Sequence, residues 1–124
     1  VYTVRQPFPP ENDVLLLGQV LSGMAPLDAP VTGGKNEPML PVAWTRSYRY
    51  EEGKTGKVFT TTMGSSVDFL DAGFRRLIVN ASYWALGREK KIPASGSRVD
   101  FTREYKPTPF GFNGFQKGKK PEDF

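Results

Sequence analysis

The 124-residue chain predicts an α/β fold with a mostly parallel sheet. Three observations carry that expectation. A continuous apolar run lies at 13–23, two further strand-like segments lie at 40–48 and 58–63, and a strongly amphipathic helical pattern follows the last of them. An uninterrupted run such as Val14-Leu15-Leu16-Leu17 is what a strand covered on both faces presents, as strands of parallel sheets are.

The elements follow in order. Residues 1–13 open with a short β-like alternation and become a Pro-rich connector. "DVLLLGQVLSG" (13–23) is the first strand, weakened by Gly18. Pro, Gly, Asn and Asp then mark 24–40 as a loop without a period. "LPVAWTRSY" (40–48) is the second strand, "RYEEGKTGK" (49–57) a polar turn, and "VFTTTM" (58–63) a third strand rich in β-branched and aromatic residues.

The helix has the strongest signal. Leu70, Phe74, Leu77, Ile78, Ala81, Trp84 and Ala85 form a nearly unbroken apolar stripe, with Arg75 and Arg76 off it toward solvent. Asp68 or a neighbouring serine is a candidate N-cap. Asp71 suits the positive end of the helix dipole, and Gly87 is a natural residue just past the C-terminus. Asn80 sits off the stripe, placed to bond across to a loop. Residues 93–124 read as a basic, Pro- and Gly-punctuated tail packing on the preceding unit. Residues 98–105 could add a short edge strand, and "FGFNGF" (110–115) supplies aromatic anchors for the domain or for a partner.

Composition narrows the chemistry. With no cysteine and no histidine, disulfides, thiolate catalysis, Cys/His zinc sites and histidine-dependent triads are excluded within this chain. No cofactor and no metal are expected. The net charge of +4 is spread along the sequence rather than clustered with aromatics, which argues against nucleic acid. No apolar run reaches the roughly 20 residues that span a bilayer, so the chain reads as soluble and off the membrane. It starts at Val1 without a signal-peptide pattern, as a processed form would.

The strand-to-helix turn Gly64-Ser65-Ser66 is the chief candidate site. It does not fit the G-x-S-x-G nucleophile elbow, and no serine is followed three residues later by lysine. The catalytic residues are therefore unassigned. Two readings fit the turn: a cradle whose amides and hydroxyls meet a carboxylate, a phosphate or sugar hydroxyls, and a corner that Gly64 permits and the serines cap. Trp44 and Arg46 share one face of their strand, as a sugar platform would, although a core role also suits Trp44. Asp13, Asp28, Asp68 and Asp71 lie nearest the element ends, and their spacing singles out no acid/base pair.

The series "PVAWTRSY…GKVFTTTMGSS…FRRLIVNASYWALG" resembles the C-terminal part of the ThuA-like (trehalose-utilisation type) domain family. Pro41, Val42, Trp44, Gly56, Val58, Phe59, Gly64, Phe74, Asn80, Ala81, Trp84, Ala85 and Gly87 carry the likeness, which spans about residues 1–92. Tyr2 resembles the remnant of an acidic-x-Tyr element and joins the candidate ligand residues on that ground.

The resemblance implies a flavodoxin-like, class I glutamine-amidotransferase-like sandwich. Residues 1–92 would supply its C-terminal half and 93–124 an irregular tail. It also implies a sugar-like small-molecule ligand, and completion of the sheet by an upstream half of the same domain, another subunit or a homo-oligomer. The setting would be a bacterial cytoplasm or periplasm. Many members carry histidine after the turn glycine; Ser65 stands there in this chain, so that residue's acid/base role does not transfer. The alternative expectation is a non-catalytic interaction or structural module that uses its aromatic tail.

Overall fold

A computed structural model describes residues 4–51, 53–108, 111, 114 and 117–123. Strands β1 (Asn12–Gly18), β2 (Leu40–Arg49) and β3 (Thr55–Thr61) form one sheet in the order β1-β2-β3. Both pairings are antiparallel. A 3₁₀ turn (Ser66–Leu70) leads into helix α1 (Ala72–Ala85), which packs against β3. Two further 3₁₀ turns, Glu89–Lys91 and Pro121–Asp123, follow.

This corrects the expected mostly parallel, flavodoxin-like sandwich. Parallel neighbours need a crossover of a dozen or more residues, and β2 and β3 are joined by residues 50–54 alone. That link is a hairpin, closed by Tyr50 N donating to Lys54 O (2.8 Å) and Gly53 N to Tyr50 O (3.0 Å). Gly53 adopts φ 77°, which the return demands. The helix follows β3, and no later strand among the described residues makes it a crossover.

Side chains alternate along a strand, so the register assigns the faces. Ala43, Thr45, Ser47, Lys57, Phe59 and Thr61 share the face toward α1. There Ala43 is fully buried, and Lys57 Nζ donates to Trp84 O (3.1 Å) while lying 4.9 Å from that ring's centre. Leu40, Val42, Trp44 and Arg46 occupy the opposite face. Phe8, from the N-terminal connector, sets its ring edge-on to Trp44 at 5.3 Å.

The apolar run forms a strand, but at an edge rather than between two neighbours. Val14, Leu15, Leu16 and Leu17 remain 42–50% exposed, and Pro41, Ala43 and Phe74 are the apolar residues that are buried among those described. The chain exposes 10501 Å². A compact protein of 13.8 kDa exposes about 6,600 Å². The uncovered sheet contributes to the difference.

Beyond β1 the chain doubles back through a Leu21–Pro30 bridge. Asn36 holds that excursion closed. Its Oδ1 accepts from Val20 N (2.7 Å) and its Nδ2 donates to Val20 O (3.0 Å) and Val31 O (2.7 Å). A single side-chain amide thus serves Val20 N and Val31 O and adds to the backbone bond that Val31 N donates to Val20 O (2.9 Å).

Helix α1 forms over the span its stripe indicates, and Phe74 is its buried anchor. Its N-cap is Asp71, whose Oδ1 accepts from Phe74 N (2.7 Å). Gly87 adopts φ 66° just past the C-cap, Leu86. Arg75 and Arg76 do not point freely to solvent. Both are half-buried and reach the C-terminal segment, Arg75 Nε donating to Val99 O (2.9 Å) and Arg76 Nε to Ser97 O (3.3 Å). Residues 98–105 form no strand; they run along the helix as a strap.

Candidate functional site

The 64–66 turn joins β3 to the 3₁₀ turn. Gly64 adopts φ 138°, a region that side chains disfavour. This conformation turns the Gly64 and Ser65 amides toward one acceptor. Both donate to Asp68 Oδ2, each at 2.9 Å. The carboxylate that caps the turn thereby takes up the two donors that a cradle would offer to an anion. Asp68 N donates back to Ser65 O (3.0 Å), which completes a closed local unit.

Ser66 faces the strap. Its Oγ donates to Thr108 O (2.9 Å) and its backbone O accepts from Tyr105 Oη (2.8 Å). The hydroxyl proton goes to a carbonyl and not to a base, so the arrangement does not generate a nucleophile.

A groove of about 810 Å³ begins beside the turn, at Met63 and Asp68. It continues past Leu40 and Val42 to Leu16 and Val20, with Lys35 and Asp68 as its charged residues. Gly18 lines it as well, and close packing requires glycine there, because a Cβ would stand 2.6 Å from Val42 Cγ1. The volume falls in the range of small-molecule sites, and the walls are chiefly apolar.

Trp44 and Arg46 lie farther along the same sheet face. Trp44 is opposite Thr60 and Arg46 opposite Val58, so Arg46 is about 7 Å farther from the turn. Trp44 is half-buried against Phe8, and Arg46 is exposed. The structure thus puts Gly64, Ser65 and Ser66 at one end of the sheet, with Trp44 nearer and Arg46 more distant. Tyr2, Phe110 and Phe115 lie outside the described residues.

Residues 97–108, read from the sequence as tail with an edge strand over 98–105 and not as part of the site, touch the turn through Tyr105 and Thr108. Ser97 is buried and donates through Oγ to Asn80 Oδ1 (2.7 Å), which gives Asn80 its loop partner. The Arg75 guanidinium also donates to Phe69 O and Leu70 O, and stands 4.0 Å over the Phe101 ring. Phe101 stacks on Tyr105 with ring centres 5.0 Å apart. Asp100 is held below the usual carboxylate range, first by its hydrogen bond from Arg98 Nε and then by that charge, with Arg75 and Arg76 adding to it. The available signal was the alternation of Arg, Phe and Tyr over 98–105, which alone does not say what those side chains meet.

Among the described residues no group of three or more His, Cys, Asp or Glu could hold a metal ion, and no helix is long and apolar enough to cross a membrane. No family model, curated protein or solved structure matches the chain.

Proposed function

We propose that the chain forms part of a ThuA-like unit that binds or processes a carbohydrate or a carbohydrate-derived small molecule. The observation that supports this most is the groove of about 810 Å³ running from Met63 and Asp68 along the open sheet face. One rung beyond its Val42 wall stands Trp44, an aromatic surface of the kind on which a sugar ring packs. The residues that carry the family resemblance build β2, β3, the 64–66 turn and α1, and among them Val42 of β2 lines that groove. The fold they make is an antiparallel sheet with one helix. The proposal therefore rests on the resemblance and the site, and not on a shared sandwich architecture. A histidine base, if the unit uses one, comes from outside this chain, which has no histidine.

The test is calorimetric titration of the chain with neutral mono- and disaccharides, paired with Trp44→Ala. Binding should appear in the parent and weaken about tenfold in the variant, equivalent to ~1.4 kcal/mol. Absence of heat with every sugar, or equal affinity in the variant, would defeat the proposal.

A second reading, an assembly module, is favoured by one specific observation. The edge strand β1 leaves Val14 to Leu17 about half exposed beside an unpaired backbone edge. An upstream half of the same domain, another subunit or a second copy would cover it.

A further inference from the structure

The Ser66 hydroxyl and carbonyl are held from one direction, by residues that lie about forty positions away in sequence. We propose that residues 97–108 are a positioning strap for the 64–66 turn, with Tyr105 as the residue that fixes Ser66. The inference rests on the reading of that turn as a ligand-bearing site.

The strap has an anchored half and a working half. The anchored half is fixed to α1 by Arg76 on Ser97 O, by Ser97 on Asn80 and by Arg75 on Val99 O. Three hydrogen bonds therefore hold residues 97 to 99 to the helix, and Ser97 is buried beneath them. The working half, residues 102–108, is held at the turn, where Tyr105 and Thr108 meet Ser66.

A continuous stack links the two halves. The Arg75 guanidinium lies over Phe101, Phe101 lies on Tyr105, and Tyr105 Oη reaches Ser66 O. The same Arg75 also donates to Phe69 O and Leu70 O at the end of the 3₁₀ turn. One arginine on the helix thus holds the turn from below through its own donors and from above through two rings. A guanidinium suits this role because its planar face and its in-plane donors act in different directions.

The chemical consequence concerns the Ser66 hydroxyl. Its proton is directed at Thr108 O, so the oxygen lone pairs are what remain for a ligand. The Gly64 and Ser65 amides are committed to Asp68, so Ser66 meets a ligand through its hydroxyl oxygen as an acceptor, beside a Ser65 hydroxyl that can both donate and accept. The strap therefore sets the polarity of the site as well as its position. At Ser66 it favours a ligand group that donates a hydrogen bond.

Tyr105→Phe keeps the ring stack and removes only the bond to Ser66, and Ser66→Ala removes the bond to Thr108. Amide exchange is read at Gly64, Ser65 and Asp68, with α1 amides as the internal reference and the sugar titration alongside. For Tyr105→Phe, exchange at the three turn amides should quicken about 2- to 12-fold while α1 is unchanged, the range one net hydrogen bond allows. Ser66→Ala should produce a similar change at the same amides. Unchanged turn exchange in both variants would overturn the strap's positioning role. Equal acceleration in α1 would overturn it too, since the strap would then be a general stabiliser. A parent chain that binds no sugar defeats the carbohydrate reading, and the exchange data still score the strap independently.

Discussion

Replacing Leu15 and Leu17 by lysine tests whether the uncovered strand is a true outer surface of this chain. Both leucines lie on β1, at 47% and 50% exposure, and Val14 and Leu16 beside them are similar. Fully burying a Val or Leu side chain is worth about 1.5–3 kcal/mol, so four half-exposed residues leave roughly 3–6 kcal/mol unrealised. Association costs about 4–15 kcal/mol in lost freedom, which makes self-association through one copy's strand weak and concentration-dependent. Backbone pairing along the free edge adds to the gain. Sedimentation velocity across a dilution series should show the parent's average sedimentation coefficient rising with concentration, and the double variant's staying flat. The urea midpoint should scarcely move, because substitutions at exposed positions usually change stability by about 0.5 kcal/mol or less. A parent that sediments as a single monomeric species throughout, or a variant that unfolds at much lower urea, would refute the reasoning.

Three other perturbations bear on the same framework. Asp71→Ala removes the N-cap bond to Phe74 N and should cost about 1 kcal/mol, read as a lowered urea midpoint with an unchanged slope. Gly18→Ala drives a Cβ against Val42 Cγ1 and should cost about 1–3 kcal/mol; adding Val42→Ala should recover part of that loss, and strict additivity would count against the contact. The Asp100 carboxyl should titrate below its ordinary value of 3.8 by NMR, and Arg98→Ala should move it upward. Because the folded pKa is the lower one, its small contribution to stability is present above the unfolded pKa and disappears as pH falls through the folded value.

The legible parts of this fold were those set by neighbours in sequence. The period of Phe74, Leu77, Ile78 and Ala81 marks a helix whatever it packs on, and Gly87 marks its end. The N-cap is Asp71 and not Asp68 or a serine, because a separate 3₁₀ turn at Ser66–Leu70 precedes the helix. The three strands were visible from local pattern too. Their mutual direction was also within reach, since five residues between Arg49 and Thr55 admit only a hairpin. The apolar run at 14–17 pointed the other way. Strand periodicity reports which residues avoid water, and it does not report whether the covering surface is supplied by this chain.

By itself, then, the sequence determined the three strands and the helix, the helix's C-terminal glycine and the absence of any thiol or imidazole chemistry. All of these are properties of residue type and local spacing. The tertiary structure alone decided that β1 is an edge, that Asp68 takes up the donors of the 64–66 turn, and that Tyr105 and Thr108 hold Ser66. The Asp68 bonds are local, yet they depend on the backbone angles that Gly64 takes up at the corner. The strap contacts join residues about forty apart, and no pattern along the chain encodes which carbonyl a distant hydroxyl will find.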